Sequence, residues 1–411
     1  MSERAMIIVG AGETGARAAF GLRERGYQGR VVLIGSESHL PYERPPLSKG
    51  LLSDNAEPKY VATADRYAVD GIELVLGQSV DSIDRRSKTV HLSNGAIYPY
   101  ERLLLATGGR PRPFPGHDAD GKRIFCLRTY TDALALQPWM APDRRIAVVG
   151  GGFIGLELAA IARQTGAGVI LVEALPRILM RGVPEVLAMR LQARHVAEGV
   201  DVRCGIGIRS IDSGPDGVTV MLADGMWIEA DIVAIGIGAI PNTELAAEAG
   251  LQIENGIVVD EYLCTSDPDI LAAGDCCNFP LSIYGGRRVR LESWRNAQEQ
   301  GMLAAANMLG EASPVSGAPW FWSDQYDLTL QVAGLLEEAA TTVERHQEDG
   351  GLILFHLAAD GRLVAASGLG TGNSIARDIR LAEMLIAAGA YPGPAVLADP
   401  TSKLKTLLRA A

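Results

Sequence analysis

Two stretches of the chain share one grammar of apolar and polar positions. A short β-branched run ends in glycine, a helix-periodic segment follows, and a second β-branched run closes the unit. In the first stretch, "MIIVG" (Met6–Gly10) predicts a buried parallel strand, "TGARAAFGLRERG" a helix stopped by Gly26, and "RVVLIG" (Arg30–Gly35) a second strand. In the second, "RRIAVVG" (Arg144–Gly150) predicts a strand, "GLELAAIARQTG" a helix and "GVILVE" (Gly168–Glu173) the returning strand. Each stretch is a βαβ unit. The chain therefore carries a coarse internal repeat, and each copy implies its own dinucleotide-binding domain.

Between and after these units the pattern changes to alternation. "IELVLGQSVDSIDRRSKTVHLSNG" and "GVTVMLADGMWIEADIVAIGIG" set apolar and polar residues in turn around Asn-Gly and Asp-Gly, which predicts hairpins over each core. Two Gly/Pro-rich joints, "ATGGRPRPFPG" (Ala106–Gly116) and "GIGAIPN" (Gly236–Asn242), read as crossings between domains. From about Pro319 the chain is aromatic, then strand-like in "LILFHLAADGRLVAASGLG", and ends in the amphipathic helix pattern "SIARDIRLAEMLIAAG". That tail predicts a third, α+β domain.

Composition narrows the class. At 411 residues, two or three domains are expected, and 47% hydrophobic with 21% charged residues is a globular balance. Many of the 47 glycines fall in short clusters after apolar runs, a distribution that suits α/β turns. The net charge of −11 argues against general nucleic-acid binding. No apolar run reaches the length of a membrane span, and "MSERAM" leads into a strand without a signal-peptide core, so a cytoplasmic location is expected. Cys126, Cys204, Cys264, Cys276 and Cys277 form no C-x-x-C pair and no zinc spacing, and read as reduced thiols.

The chemistry lies in the two turns. Gly10, Gly12 and Gly15 fit G-x-G-x-x-G after a strand and at the opening of a helix, where backbone N–H groups receive a pyrophosphate. The acid expected near the end of the next strand is displaced to Glu37. Gly150, Gly152 and Gly155 repeat the motif, and Glu173 stands at the strand end where a carboxylate accepts from ribose hydroxyls and repels a 2′-phosphate. This favours NADH over NADPH, with Arg177 the nearby residue placed to blur the choice. Two cradles suggest a soluble nicotinamide and a bound flavin with a hydride passing between them.

Four further stretches, "HLPYERPPLSKGLL", "LLLATGGRPRP", "TSDPDILAAGDC" and "RLESWRNAQEQG", followed by "PWFWSDQYD", stand in the order found in flavin reductases of oxygenase systems. Across essentially its whole length the chain resembles the putidaredoxin reductase, rhodocoxin reductase and Rieske dioxygenase ferredoxin reductase family. The resemblance implies an α/β fold of two Rossmann-like, glutathione-reductase-like domains binding FAD and NAD(P), plus the C-terminal α+β domain. Residues 1–113 and 241–318 would hold FAD, 114–240 NADH, and 319–411 would form the third domain. It implies FAD and NADH as cofactors and a [2Fe–2S] ferredoxin as partner, feeding a cytochrome P450 or a Rieske-type oxygenase.

Residue roles follow by the same resemblance. Thr14 lines the FAD pyrophosphate with the glycines around it, Lys49 stands beside the isoalloxazine, and Arg44 belongs to the same loop. Val80 contacts adenine. Ala106, Thr107, Gly108 and Arg110 form the flavin-domain turn, and Arg128 reaches an FAD phosphate. Gly274 and Asp275 meet the ribityl chain, and Trp294 the flavin edge. Gly152, Ile154, Gly155, Glu173 and Gly238 serve the nicotinamide nucleotide. Glu157 pairs with Lys49 where nicotinamide meets flavin; its bland alternative is a surface glutamate favoured by the helix dipole.

Disulfide reductases of this architecture carry cysteine near "PPLSK", whereas Pro45, Pro46, Leu47 and Ser48 contain none, so a thiol relay is not expected. Arg110, Arg112, Arg287, Arg288, Arg290 and Arg295 are candidates for a basic docking face around Trp322. The alternative functions are a rubredoxin or quinone reductase on the same scaffold, and a redox-controlled binding flavoprotein of the apoptosis-inducing-factor kind.

Overall fold

Ala5–Val9 is buried along its whole length, as an all-apolar run in the interior of a parallel sheet is expected to be. It lies between Val31–Gly35 and Ile97–Leu105, parallel to both, in a computed structural model that describes residues 4–53, 57–117 and 119–409. Ile72–Leu76 extends the sheet on one side and Ile270–Ala272 on the other, again in parallel. The first half of Ile97–Leu105 pairs instead with Thr89–Leu92, antiparallel, and Thr89–Leu92 pairs in turn with Val80–Asp84, again antiparallel. The helix Glu13–Glu24 ends before Gly26, whose φ of 81° is left-handed.

These elements belong to one of two compact units, formed by Met1–Glu43, Pro58–Arg110 and Ile240–Gly317. Its long C-terminal helix, Trp294–Met308, packs on Glu13–Glu24 through small residues. A Cβ at Gly21 would come within 2.9 Å of Ala305, and one at Gly301 within 2.5 Å of the Thr14 carbonyl. Bulk at either position would force the helices apart.

The other unit contains Arg44–Glu57, Pro111–Ala239 and Ala318–Ala411. Its parallel sheet runs Asp201–Cys204, Gly168–Glu173, Arg145–Val149, Ile232–Ile235, Ile124–Cys126. An antiparallel sheet of Ile208–Ser213, Val218–Leu222 and Trp227–Ala230 shares its apolar core. The aromatic tail forms a five-stranded antiparallel sheet in the order Trp320–Gln325, Leu328–Gly334, Leu363–Thr371, Leu352–Leu357, Thr341–His346. The helix Ala376–Ala387 covers it. By compactness the chain groups in two where the sequence counted three domains, with 44–57 and 318–411 joining the second βαβ unit. No helix among the described residues is long and apolar enough to cross a membrane.

Candidate functional site

The two glycine turns are built alike. Gly10 and Gly150 have φ of 117° and 105°, and a Cβ on either would overlap a backbone carbonyl, that of Ala106 for Gly10 and that of Gly236 for Gly150. A Cβ at Gly15 would overlap the Gly10 carbonyl, and one at Gly155 the Gly150 carbonyl. The middle glycines differ. Nothing lies within 4 Å of a Cβ built at Gly12, and only the Gly236 carbonyl, at 3.8 Å, near one at Gly152. Gly12 and Gly152 are also the N-caps of Glu13–Glu24 and Phe153–Gln164, and neither has a side-chain cap. Each helix thus opens with uncapped N–H donors facing a place where the protein contributes no bulk. First and third glycines close the fold while the second leaves room, which fits a dinucleotide pyrophosphate at both turns.

Around the first turn, Ala106 donates its N–H to Val9 O at 2.8 Å, which carries the segment 106–108 past Gly10. Thr107 Oγ1 donates to Asn242 O at 2.7 Å, and Asn242 answers with Nδ2 to Thr107 O at 2.9 Å and N–H to Gly108 O at 3.0 Å. Arg110 is drawn to the same place, with Nη1 on Asn242 Oδ1 at 2.8 Å and Nη2 on Glu244 Oε1 at 2.6 Å. Glu37 accepts from Tyr42 Oη at 2.5 Å. Val80 opens the strand Val80–Asp84 opposite Leu92.

Buried Thr14 faces Gly274, where a Cβ would overlap its hydroxyl, and Gly274 donates its N–H to Gln300 Oε1 at 2.7 Å. Half-buried Asp275 follows in the turn Gly274–Cys276. Half-buried Trp294 opens its helix behind the Ser293 cap. Gln300 and Gly301 escaped the sequence reading. Their signal was the small-residue spacing of Gly301 and Ala305 opposite the cradle helix. Gln300 Nε2 and Glu13 Oε2 are buried without a protein partner, and both belong to residues on the two helices that meet at Thr14. A group bound in the cradle would give these atoms polar partners, a second feature that fits an occupied turn.

Around the second turn, Glu173 is fixed by backbone donors, Gly151 N–H to Oε2 at 2.6 Å and Leu175 N–H to Oε1 at 2.7 Å. Arg177 turns away and spends Nη1 on Ile178 O at 3.1 Å and Nη2 on Val183 O at 3.0 Å. Ile154 is exposed on the first turn of the helix, and open space surrounds Gly238.

In the same unit, Glu157 is 7% exposed, which removes the surface-glutamate alternative. Its Oε1 accepts from Ser323 Oγ at 2.6 Å, its Oε2 accepts from Ser48 Oγ, and Lys49 Nζ stands 3.9 Å from Oε1. Lys49 lies nearer to Asp324, with Nζ to Oδ2 at 3.0 Å, and 5.4 Å over the Trp322 ring. Trp322 Nε1 and Thr329 Oγ1 each donate to Asp324 at 2.9 Å. Burial pushes Glu157 up from the ordinary carboxylate range, against the opposing pull of Lys49 and the two serines. Asp324 is held low by Lys49 and by its other donors, which outweigh its partial burial. Arg44 Nη1 donates to Arg128 O, and Arg128 precedes the Thr129–Asp132 capping box. Ser48, Asp324, Ser323, Gln325 and His195 were not found by sequence, because four chain segments must fold together before they meet.

Four of the candidate docking arginines, Arg110, Arg288, Arg290 and Arg295, have local partners. Arg288 Nη2 donates to Val259 O at 2.7 Å and to Asn278 O, Arg290 pairs with Glu292, and Arg295 pairs with Glu299 at 2.8 Å. All five cysteines are free thiols, and burial raises each above its ordinary range, Cys126 to about 11. None is poised as a thiolate.

Two dinucleotide turns of one geometry, with a buried carboxylate and a lysine near the second, define a two-nucleotide oxidoreductase. Residues 4–301 match the pyridine nucleotide-disulphide oxidoreductase model and residues 320–408 the reductase C-terminal model, and the chain belongs to the pyridine nucleotide-disulphide oxidoreductase family. It is 44% identical over 411 residues to the ferredoxin–NAD(+) reductase component of the anthranilate 1,2-dioxygenase system of Burkholderia cepacia, covering 99% of this chain and 100% of the relative. It is 38% identical to rhodocoxin reductase of Rhodococcus erythropolis, covering 97% and 93%. Its fold matches the reductase in a crystal structure of the covalent putidaredoxin reductase–putidaredoxin complex with a TM-score of 0.93 at 38% identity, covering 100% of this chain and 99% of that one.

Proposed function

We propose that this chain is an NADH-dependent FAD flavoprotein that passes electrons singly to a [2Fe–2S] ferredoxin serving a cytochrome P450 or Rieske-type oxygenase. The observation that carries this reading is the pair of equivalent cradles in a chain with no reactive cysteine. FAD supplies a hydride acceptor for NADH and a source of single electrons. The protein supplies position and charge. In this reading residues 1–113 and 241–318 hold FAD, residues 114–240 hold NADH, and 319–411 form the remaining domain.

The uncapped first turn of Glu13–Glu24, with Thr14, receives the FAD pyrophosphate. Ala106, Thr107 and Gly108 line its other side, Gly274 and Asp275 meet the ribityl chain, and Val80, Glu37, Arg44, Arg110, Arg128 and Trp294 complete the surroundings. Glu173, pinned over Gly151, takes the adenosine ribose hydroxyls of NADH and disfavours a 2′-phosphate. Lys49 places an ammonium where the reduced cofactor carries negative charge, and Glu157 with Asp324 fixes that ammonium in place. A cytoplasmic setting, where NADH is available, belongs to the same proposal.

The protein is to be purified with FAD, mixed anaerobically with NADH, and offered a [2Fe–2S] ferredoxin, a rubredoxin and a quinone in turn. Rapid bleaching of the flavin followed by selective reduction of the ferredoxin is expected. Faster turnover with rubredoxin or quinone would replace the ferredoxin reading.

A further inference from the structure

The hydrogen bonds leading to Glu157 run in one direction. Ser323 Oγ donates to Glu157 Oε1 at 2.6 Å, and its oxygen accepts from Gln325 Nε2 at 3.1 Å. With its nitrogen spent on Ser323, Gln325 turns Oε1 to His195 Nε2 at 2.7 Å. An amide oxygen only accepts, so the imidazole proton sits on Nε2 and Nδ1 is bare. Nδ1 faces the Tyr326 hydroxyl, a donor at 3.4 Å, with the two rings edge to face at 5.1 Å. Every link from Tyr326 through His195, Gln325 and Ser323 therefore donates toward Glu157.

The opposite orientation of Gln325 has a definite cost. Its oxygen would then face Ser323 and draw the hydroxyl proton away from Glu157, leaving one carboxylate oxygen buried without that donor. Each orientation goes with one tautomer of His195: the amide oxygen faces Nε2–H, and the amide nitrogen would face a bare Nε2. His195 is fully buried, and burial lowers its proton affinity, against the hydrogen bond to Gln325 and together with the positive charge of neighbouring Arg194. The charged groups facing Glu157 are Lys49 from the segment 44–57 and Asp324 from the strand Trp320–Gln325, with opposite effects on its proton affinity. Aligned hydrogen bonds polarise one another, so the chain of donors adds to the pull of Lys49 on the same carboxylate.

We propose that Gln325 and His195 are positioning residues that hold the Ser323 hydroxyl toward Glu157 and keep this carboxylate ionised beside Lys49. Its consequence for hydride transfer rests on the function proposed above. The direction of the hydrogen bonds does not.

The test uses the full FAD-loaded chain with ¹⁵N-labelled histidine, the His195 resonances being assigned by loss in His195→Asn. The expected spectrum shows a neutral ring protonated on Nε2. A proton on Nδ1, or an imidazolium at neutral pH, overturns the proposal without any variant having to fold. A second readout is the infrared carboxyl band of Glu157, assigned with Glu157→Gln and titrated in wild type and in Gln325→Leu. The leucine variant is expected to bind the Glu157 proton about tenfold more tightly, as loss of a charge-assisted donor network predicts. An unchanged titration in folded Gln325→Leu that retains FAD overturns the proposal. Ferredoxin reduction by the wild-type protein is measured separately, so failure of the proposed function leaves the tautomer result to stand or fall alone.

Discussion

Replacing each glycine of the second cradle by alanine separates what the turn does for folding from what it does for the nucleotide. At Gly150 the added methyl overlaps the Gly236 carbonyl, far inside the 3.4 Å where ordinary contact begins, and the residue keeps a φ of 105°. The backbone conformation alone costs about 1–3 kcal/mol, and moving a buried carbonyl adds to it, so Gly150→Ala should lose about 3 kcal/mol or more of stability. At Gly152 the nearest neighbour is 3.8 Å away, so Gly152→Ala should lose only the roughly 1 kcal/mol or less that alanine costs at an N-cap. The same methyl projects into the space read as the pyrophosphate site and should weaken NADH about 100-fold, equivalent to about 2.7 kcal/mol. Thermal melts give the first quantity. NADH titrations of the oxidised protein, made with FAD content held equal, give the second. Equal destabilisation by the two substitutions, or NADH binding unchanged in Gly152→Ala, would refute the division of labour.

Three further substitutions test separate parts. Glu173→Ala removes the acceptor of the Gly151 and Leu175 N–H groups, so NADH affinity should fall about tenfold while NADPH binding improves, and a constant ratio of the two Kd values would contradict the role of Glu173. His356 is buried between Thr342 and Ser367, and burial lowers it from 6.5 to about 4. The unfolded chain therefore binds the extra proton first, so stability present above pH 6.5 is lost as pH falls toward 4, by about 3 kcal/mol in all. Melts of wild type across that range should show this slope, reduced in His356→Asn. Arg345 is 1% exposed and donates to Leu397 O at 2.7 Å, Val396 O at 2.9 Å and Asp378 Oδ2 at 3.1 Å. Arg345→Met should cost about 3 kcal/mol in urea unfolding, and an unmoved midpoint would show that these bonds are dispensable.

The parts of the site written in contiguous residues were legible. Both strand–glycine–helix turns were visible because each glycine answers a backbone need within its own motif, and Glu173 because strand length fixes where the acid falls. The burial of Glu157 was not readable from its helix, since the Ser323-bearing strand that helps cover it lies more than 150 positions on, and hydrogen-bond partners at such range leave no periodicity. Asp324 illustrates the same gap: it takes Lys49 at 3.0 Å, closer than the expected Glu157 at 3.9 Å. The grouping of 44–57 with the second βαβ unit was hidden for a related reason, because sequence order assigns a segment to its neighbours and packing does not. The charge run at Arg287–Arg295 offered candidates for a docking face but not their neighbours: Arg288, Arg290 and Arg295 each hold local carbonyl or carboxylate partners.

In the function proposed above, reducing equivalents pass from NADH to FAD and on to a ferredoxin without a sulfur intermediate. This route is tested most directly by anaerobic stopped-flow of the variant in which Cys126, Cys204, Cys264, Cys276 and Cys277 are all serine, loaded with FAD and mixed with NADH and then with oxidised [2Fe–2S] ferredoxin. Flavin bleaching and ferredoxin reduction at wild-type rates are predicted. A cysteine-free protein that binds both nucleotides yet leaves the flavin oxidised would contradict the account.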